Sequence, residues 1–273
     1  MTEQSGFEAE VAARVRVEVR DHIAHVTLTR GDKMNAVDPA MAEAIVAAGE
    51  SLRGRDDIRA VVLAAEGRAF CAGLDVASFG KFAKEDPVAR VMPRTHGEAN
   101  LMQQVCMVWR DLEVPVIAAL QGVAFGAGLQ LAMGADIRVA DPGTKLAIME
   151  AKWGLVPDMG GMVVWPGLIR SDVLRLMTYT AEPIDAAQAL SWGLVTLISD
   201  DPLAEAQRIA GVIAGKSPSA TRGAKRLIAL AESGASSAEV LLAESREQAA
   251  LIGGAHQMEV IAANMAGRAP QFD

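Results

Sequence analysis

Apolar and polar side chains alternate along VRVEVRDHIAHVTLT, residues 15 to 29, on either side of Asp21. A period of two over that length predicts two adjacent half-buried strands joined as a hairpin. At Asp38 the period changes: Asp38 and Pro39 suit an N-cap and the first helical position, and AMAEAIVAAGESLRG carries apolar residues at helical spacing. IRAVVLAAEG from Ile58 is a continuous apolar run of strand length, followed by the turn-like GRAFCAGLD. A polar, proline-containing stretch from Lys81 to His96 has the character of a lid and leads into a helix around GEANLMQQVCMVWRDLE. VPVIAAL then predicts a buried strand, GAGLQLAMG a helix, and ADIRVAD and KLAIM two short strands.

Strands interleaved with helices define an α/β chain. Beyond Asp185, AAQALSWG, PLAEAQRIAGVIAG, SATRGAKRLIALAES and SAEVLLAESREQAALIG predict successive helices before a polar tail. The expected organisation is an N-terminal extension over 1–14, an α/β core over 15–200 and a helical region over 201–273. The uncharged segment from Val114 to Ala135 is long enough to span a bilayer. Its proline, two glutamines and four glycines favour a buried strand, a glycine-rich turn and a buried helix instead.

Composition narrows the chemistry. A net charge of −8 with 4% aromatic residues argues against nucleic acid and against an anionic membrane surface. Cys71 and Cys106 lack ligand-like spacing, so no metal is expected and both read as free thiols of a reducing, cytoplasmic compartment. The N-terminus carries acids where a secretory signal carries basic residues. His22, His25, His96 and His256 are scattered and read as structural. GAGLQL after a strand resembles a dinucleotide fingerprint, but Leu131 stands at its third glycine.

Two glycine-bearing turns remain, AFCAGLDVASF at 69 to 79 and GVAFGAGLQLA at 122 to 132, each just after a buried strand. If they face each other they offer two backbone N–H groups to one oxygen, the second reinforced by a helix dipole. The alternative is a pair of ordinary close-packed turns.

These turns, with DKMNAV at 32 to 37, IMEAKWGLVPDMGG at 148 to 161 and AQALSWGLV at 187 to 195, closely resemble the enoyl-CoA hydratase/isomerase, or crotonase, family. The resemblance runs from about Val15 to Phe272. It implies a spiral of ββα units, a helical C-terminal region that completes trimers or dimers of trimers, and an acyl-CoA substrate with no further cofactor. By matching motif positions, the N–H groups of Leu74 and Ala127 would hold the thioester oxygen; Ala127 replaces a family glycine. Lys33, Met34, Ala72, Asp75 and Val76 match positions around CoA, whereas Arg268 reads as a solvated arginine. The acyl chain would meet Phe79, Phe82, Met102, Val105 and Trp109.

Family hydratases hold water between two glutamates, and those positions fall at Gln130 and Glu150. An amide has no useful pKa near neutrality and cannot carry the proton. The chain therefore keeps an oxyanion hole, worth about 3 kcal/mol per donor, and one carboxylate. That suits an enoyl-CoA isomerase in which Glu150 shuttles a proton from C2 to C4, with Asp158 raising its pKa. A hydratase using Gln130 as a water holder, and an acyl-CoA-binding homologue without turnover, are the alternatives.

Overall fold

The computed structural model describes residues 8–9, 11–78 and 86–272. The hairpin forms as β1 (Val15–Arg20) and β2 (Ile23–Leu28), with Asp21 and His22 at positive φ in the turn. Helix α1 (Pro39–Glu50) starts as expected, Asp38 Oδ1 accepting the Met41 N–H at 2.8 Å. Strand β3 (Ala60–Ala65) follows, then the short helix α2 (Pro87–Val91), α3 (Leu101–Arg110) and β4 (Val116–Leu120). The expected lid is thus partly helical at α2, and its residues 81–85 lie outside the described residues.

Next come β5 (Val123–Phe125), α4 (Ala127–Met133), β6 (Ile137–Ala140), β7 (Lys145–Ala147), α5 (Gly161–Leu168) and α6 (Ser171–Thr180). The chain continues through β8 (Ile184–Asp185), α7 (Ala186–Ser191) and β9 (Leu197–Ile198). It closes with α8 (Pro202–Ala214), α9 (Pro218–Glu232), α10 (Ser237–Leu251) and α11 (Ala255–Met265). Among the described residues no helix is long and apolar enough to cross a membrane. The segment 114–135 is divided among β4, β5 and α4.

A six-stranded sheet runs β1-β2-β3-β4-β6-β9, antiparallel at β1-β2 and parallel thereafter. Both faces of its centre are covered, which is why β3 and β4 read as unbroken apolar runs. Val61, Leu63, Val116, Ala118 and Leu120 face the larger core with α1 and α3. Ala60, Val62, Ala64, Ile117 and Ala119 face α8, which presents Ala206, Ala210 and Ala214 at intervals of four. Small side chains in that row let the helix lie close to the sheet. Helix α8 therefore belongs to the core by packing, although the expected core ended at residue 200.

A second, three-stranded sheet runs β5-β7-β8. It extends through single bridges from Ala124 to Cys71 and from Leu74 to Val37. These bridges bring 33–37, 70–75 and 123–127 together in space. Strand β5 was expected to be turn; three residues flanked by glycines carry too little pattern to be seen without their partner β7. Helices α5, α6 and α11 were also not anticipated, α5 because Pro166 sits inside it.

Candidate functional site

The two glycine turns face each other. Gly73 has φ +99°, and a Cβ there would stand 2.9 Å from the Phe125 carbonyl oxygen and 3.9 Å from the Ala127 nitrogen. Glycine is required at that approach. The Leu74 bridge is made by its neighbours: Val37 N donates to Gly73 O at 2.8 Å and Asp75 N to Val37 O at 2.9 Å. In such a parallel bridge Leu74's own N–H points away from Val37. Ala127 opens α4, so its N–H has no intrahelical acceptor. Neither nitrogen donates a backbone hydrogen bond among the described residues.

A cavity of 220 Å³ opens here, lined by Ala72, Gly73, Leu74 and Val76 from one turn and Phe125, Gly126 and Ala127 from the other. Met149, Glu150, Lys152, Trp153 and Leu155 complete it. Glu150 begins a 3-10 turn after β7, and a Cβ on Gly126, φ +48°, would lie 3.4 Å from its Oε1. The carboxylate thus stands beside the residue preceding Ala127.

Gln130, one turn into α4, is fully buried. Its Nε2 donates to Glu150 Oε1 at 2.6 Å, and its Oε1 accepts the N–H groups of Met159 at 2.9 Å and Gly161 at 3.1 Å. Two main-chain donors fix the amide's orientation, leaving only nitrogen to face the glutamate. Glu150 Oε2 is buried and accepts no hydrogen bond from the described residues. Burial pushes the Glu150 carboxyl above its ordinary value of 4.5, and the charge of Asp158 adds to this against the Gln130 hydrogen bond. Asp158 is an exposed residue, but burial around its carboxyl raises its own pKa, countered in part by its main-chain N–H and then by the charge of Arg90 of α2.

Asp75 lies behind the Leu74 turn. Its Oδ1 accepts Ala77 N at 3.0 Å and its Oδ2 pairs with Arg30 at 2.7 Å. Arg30 reaches on to Asp38 at 3.1 Å, and Asp38 to Arg14 at 2.9 Å. Burial works against the Asp75 carboxylate, but Arg30 and the Ala77 N–H together hold its pKa below 3.8.

Of the expected site residues, Ala72, Leu74, Val76, Ala127 and Glu150 line the cavity, with Gln130 beneath it. Met34 is adjacent, its carbonyl accepting Ala72 N at 2.9 Å, and Lys33 is exposed beside it. Val105 and Trp109, expected on the acyl wall, are fully buried in the main core and do not line the cavity, because α3 packs against α1 and α4. Met102 is partly buried against the same core. Phe79 and Phe82 lie outside the described residues. Arg268 pairs with Glu259 at 2.6 Å. Phe125, Met149, Lys152, Trp153 and Leu155 escaped the sequence reading; the signal was the continuity of Trp153 and Leu155 with the Glu150 motif. Trp153 and Leu155 remain 51% and 48% exposed at the cavity rim, with Lys152 Nζ over the Trp153 ring at 5.8 Å. Among the described residues no three His, Cys, Asp or Glu side chains are grouped to hold a metal.

The site thus combines two main-chain N–H groups without backbone acceptors among the described residues and a buried carboxylate beside one cavity. The enoyl-CoA hydratase/isomerase family profile matches residues 18–273, and the chain belongs to that family. It is 32% identical over 196 residues to probable enoyl-CoA hydratase EchA14 of Mycobacterium tuberculosis (strain ATCC 25618 / H37Rv), covering 72% of this chain and 73% of that one. It is 32% identical over 222 residues to (E)-benzylidenesuccinyl-CoA hydratase of Thauera aromatica, covering 79% and 82%. The crystal structure of an enoyl-CoA hydratase from Shewanella pealeana ATCC 700345 superposes with a TM-score of 0.86 at 26% identity, over 100% of both chains. The fold is that of the crotonases, and an acyl-CoA substrate fits the family.

Proposed function

We propose that the protein is an enoyl-CoA isomerase in which Glu150 is the proton-shuttling base. The thioester oxygen sits between the N–H groups of Leu74 and Ala127, which stabilise the enolate formed when Glu150 takes a proton from C2. Glu150 then returns that proton at C4, moving the double bond from the 3 to the 2 position. The observation that carries this reading is the engagement of Gln130: its oxygen is used by Met159 and Gly161 and its nitrogen by Glu150. An amide so held orients the glutamate and leaves one acid–base group. Lys33 and Met34 stand on the CoA side, next to Ala72, and Trp153 and Leu155 on the acyl side.

The names of the hydratase relatives favour a second reading, in which Glu150 alone activates water for addition to a 2-enoyl-CoA. Parallel incubations with 2-enoyl-CoA and 3-enoyl-CoA in heavy water separate the two. Deuterium at C2 and C4 with double-bond migration, lost in Glu150→Gln, is the expected result. Rapid 3-hydroxyacyl-CoA formation from the 2-enoyl substrate would replace it with the hydratase reading. Assembly into trimers, or dimers of trimers, is supported by exposed Leu241, Leu242, Ile252, Met258 and Ile261 on and between α10 and α11. Sedimentation velocity tests it; a monomer at micromolar concentration would refute it.

A further inference from the structure

A second cavity, of 430 Å³, lies at the N-terminal ends of β4 and β6, between α5 and the helices α8 and α9. The Glu150 cavity lies at the opposite, C-terminal ends of the same strands. The second cavity's size is within the range of about 300–1,000 Å³ usual for small-molecule sites. Val164, Leu168, Ile213 and Ile228 give it an apolar wall.

Among the charged residues that line it, Arg110, Arg138 and Lys225 face the two carboxylates of Asp136 and Glu232. Lys225 pairs with Asp136 at 2.8 Å, Asp136 also accepts Val116 N at 2.7 Å, and Arg110 pairs with Glu232 at 3.2 Å. Arg138 makes no direct ion pair among the described residues, and Asp136 and Glu232 act on it only from a distance. It is only 3% exposed, and it donates Nε to Leu194 O at 2.7 Å and Nη1 to Ala135 O at 2.5 Å. Nη2 donates to no described residue. Neutral carbonyls satisfy two edges of the guanidinium, and Asp136 and Glu232, each already paired with another cation, compensate its buried charge only in part. Burial lowers its pKa to about 10, so it stays charged at neutral pH.

We propose that this cavity binds an amphiphilic monocarboxylate, such as a free fatty acid, with Nη2 of Arg138 receiving the carboxylate and the apolar wall receiving the tail. One negative charge matches the one lining cation that has no direct ion pair, and the mostly hydrocarbon lining disfavours a small inorganic anion. The site is separate from the acyl-CoA cavity, so the two ligands bind together.

Isothermal titration of the intact protein with dodecanoate, and with dodecanol as the uncharged counterpart, tests this. One dodecanoate per chain should bind, undiminished by saturating CoA, and dodecanol about tenfold or more weakly, the value of a lost charge-assisted hydrogen bond. Arg138→Gln should bring the two affinities together. Should that variant fail to fold, Ala229→Trp, which fills the cavity from α9, should abolish binding of both. Equal wild-type affinities for acid and alcohol, displacement by CoA, undiminished binding to Ala229→Trp, or no binding of dodecanoate would each overturn the proposal.

Discussion

Glu150 and Asp75 are both acids at the same pair of loops, yet their protonation is displaced in opposite directions. Asp75 has partners on both oxygens, a guanidinium and a main-chain N–H, and its charge is stabilised. Glu150 has one partner on one oxygen, and burial acts against its charge. A fully partnered carboxylate holds a loop in place. A half-partnered one in a buried place keeps its proton to higher pH. The family likeness of the two loops does not distinguish these roles; the hydrogen-bond inventory does.

The largest expected break in the comparison is Glu150→Gln, which should lower kcat about 10²- to 10⁴-fold, the usual worth of a general base, measured by steady-state turnover with a folded variant. The same variant should be more resistant to heat. A carboxyl whose folded pKa is raised above 4.5 contributes stability below that value and loses it as pH rises through the folded pKa. The gain in Tm over the native protein should therefore widen from pH 4 to pH 7; a gain independent of pH would show that burial does not govern this group.

Next in size is Gln130→Leu. It leaves the buried N–H groups of Met159 and Gly161 without their acceptor, a loss of about 2–5 kcal/mol in urea unfolding. Unchanged stability would mean that the 159–161 loop finds other acceptors.

Asp75→Asn is expected to cost about 1 kcal/mol, since Arg30 and Asp75 are only partly shielded from solvent. Its pH signature is the reverse of that at Glu150. The stability Asp75 provides is present above 3.8 and lost as pH falls through its lower folded pKa, so the variant should show a flatter acid limb below about pH 4. The smallest effect belongs to Asp158→Asn. Removing that charge should lower the Glu150 pKa and move the acidic limb of the kcat profile to lower pH; an unmoved limb would separate Asp158 from Glu150.

Much of this was legible in the chain itself. The hairpin, α1 with its Asp38 cap, β3 and β4 carry strong local patterns, and the glycine turns stand out because Gly73 must pass within contact of Phe125. What escaped has a common cause. Strand β5 exists only because β7 lies beside it, and α3 shows an apolar face without revealing that Val105 and Trp109 enter the main core among neighbouring helices. Gln130 was visible as an amide in an acid's place, but its engagement with Met159 and Gly161 joins segments about thirty residues apart.

The family and the two glycine turns could be read from the chain alone, since those depend on residue type and local spacing. Tertiary structure alone decided which polar atoms have partners: Gln130 as a brace, Asp75 as an anchor, Glu150 and Arg138 with an edge unsatisfied. Partnership depends on distances between segments remote along the chain, and a linear pattern does not encode those distances.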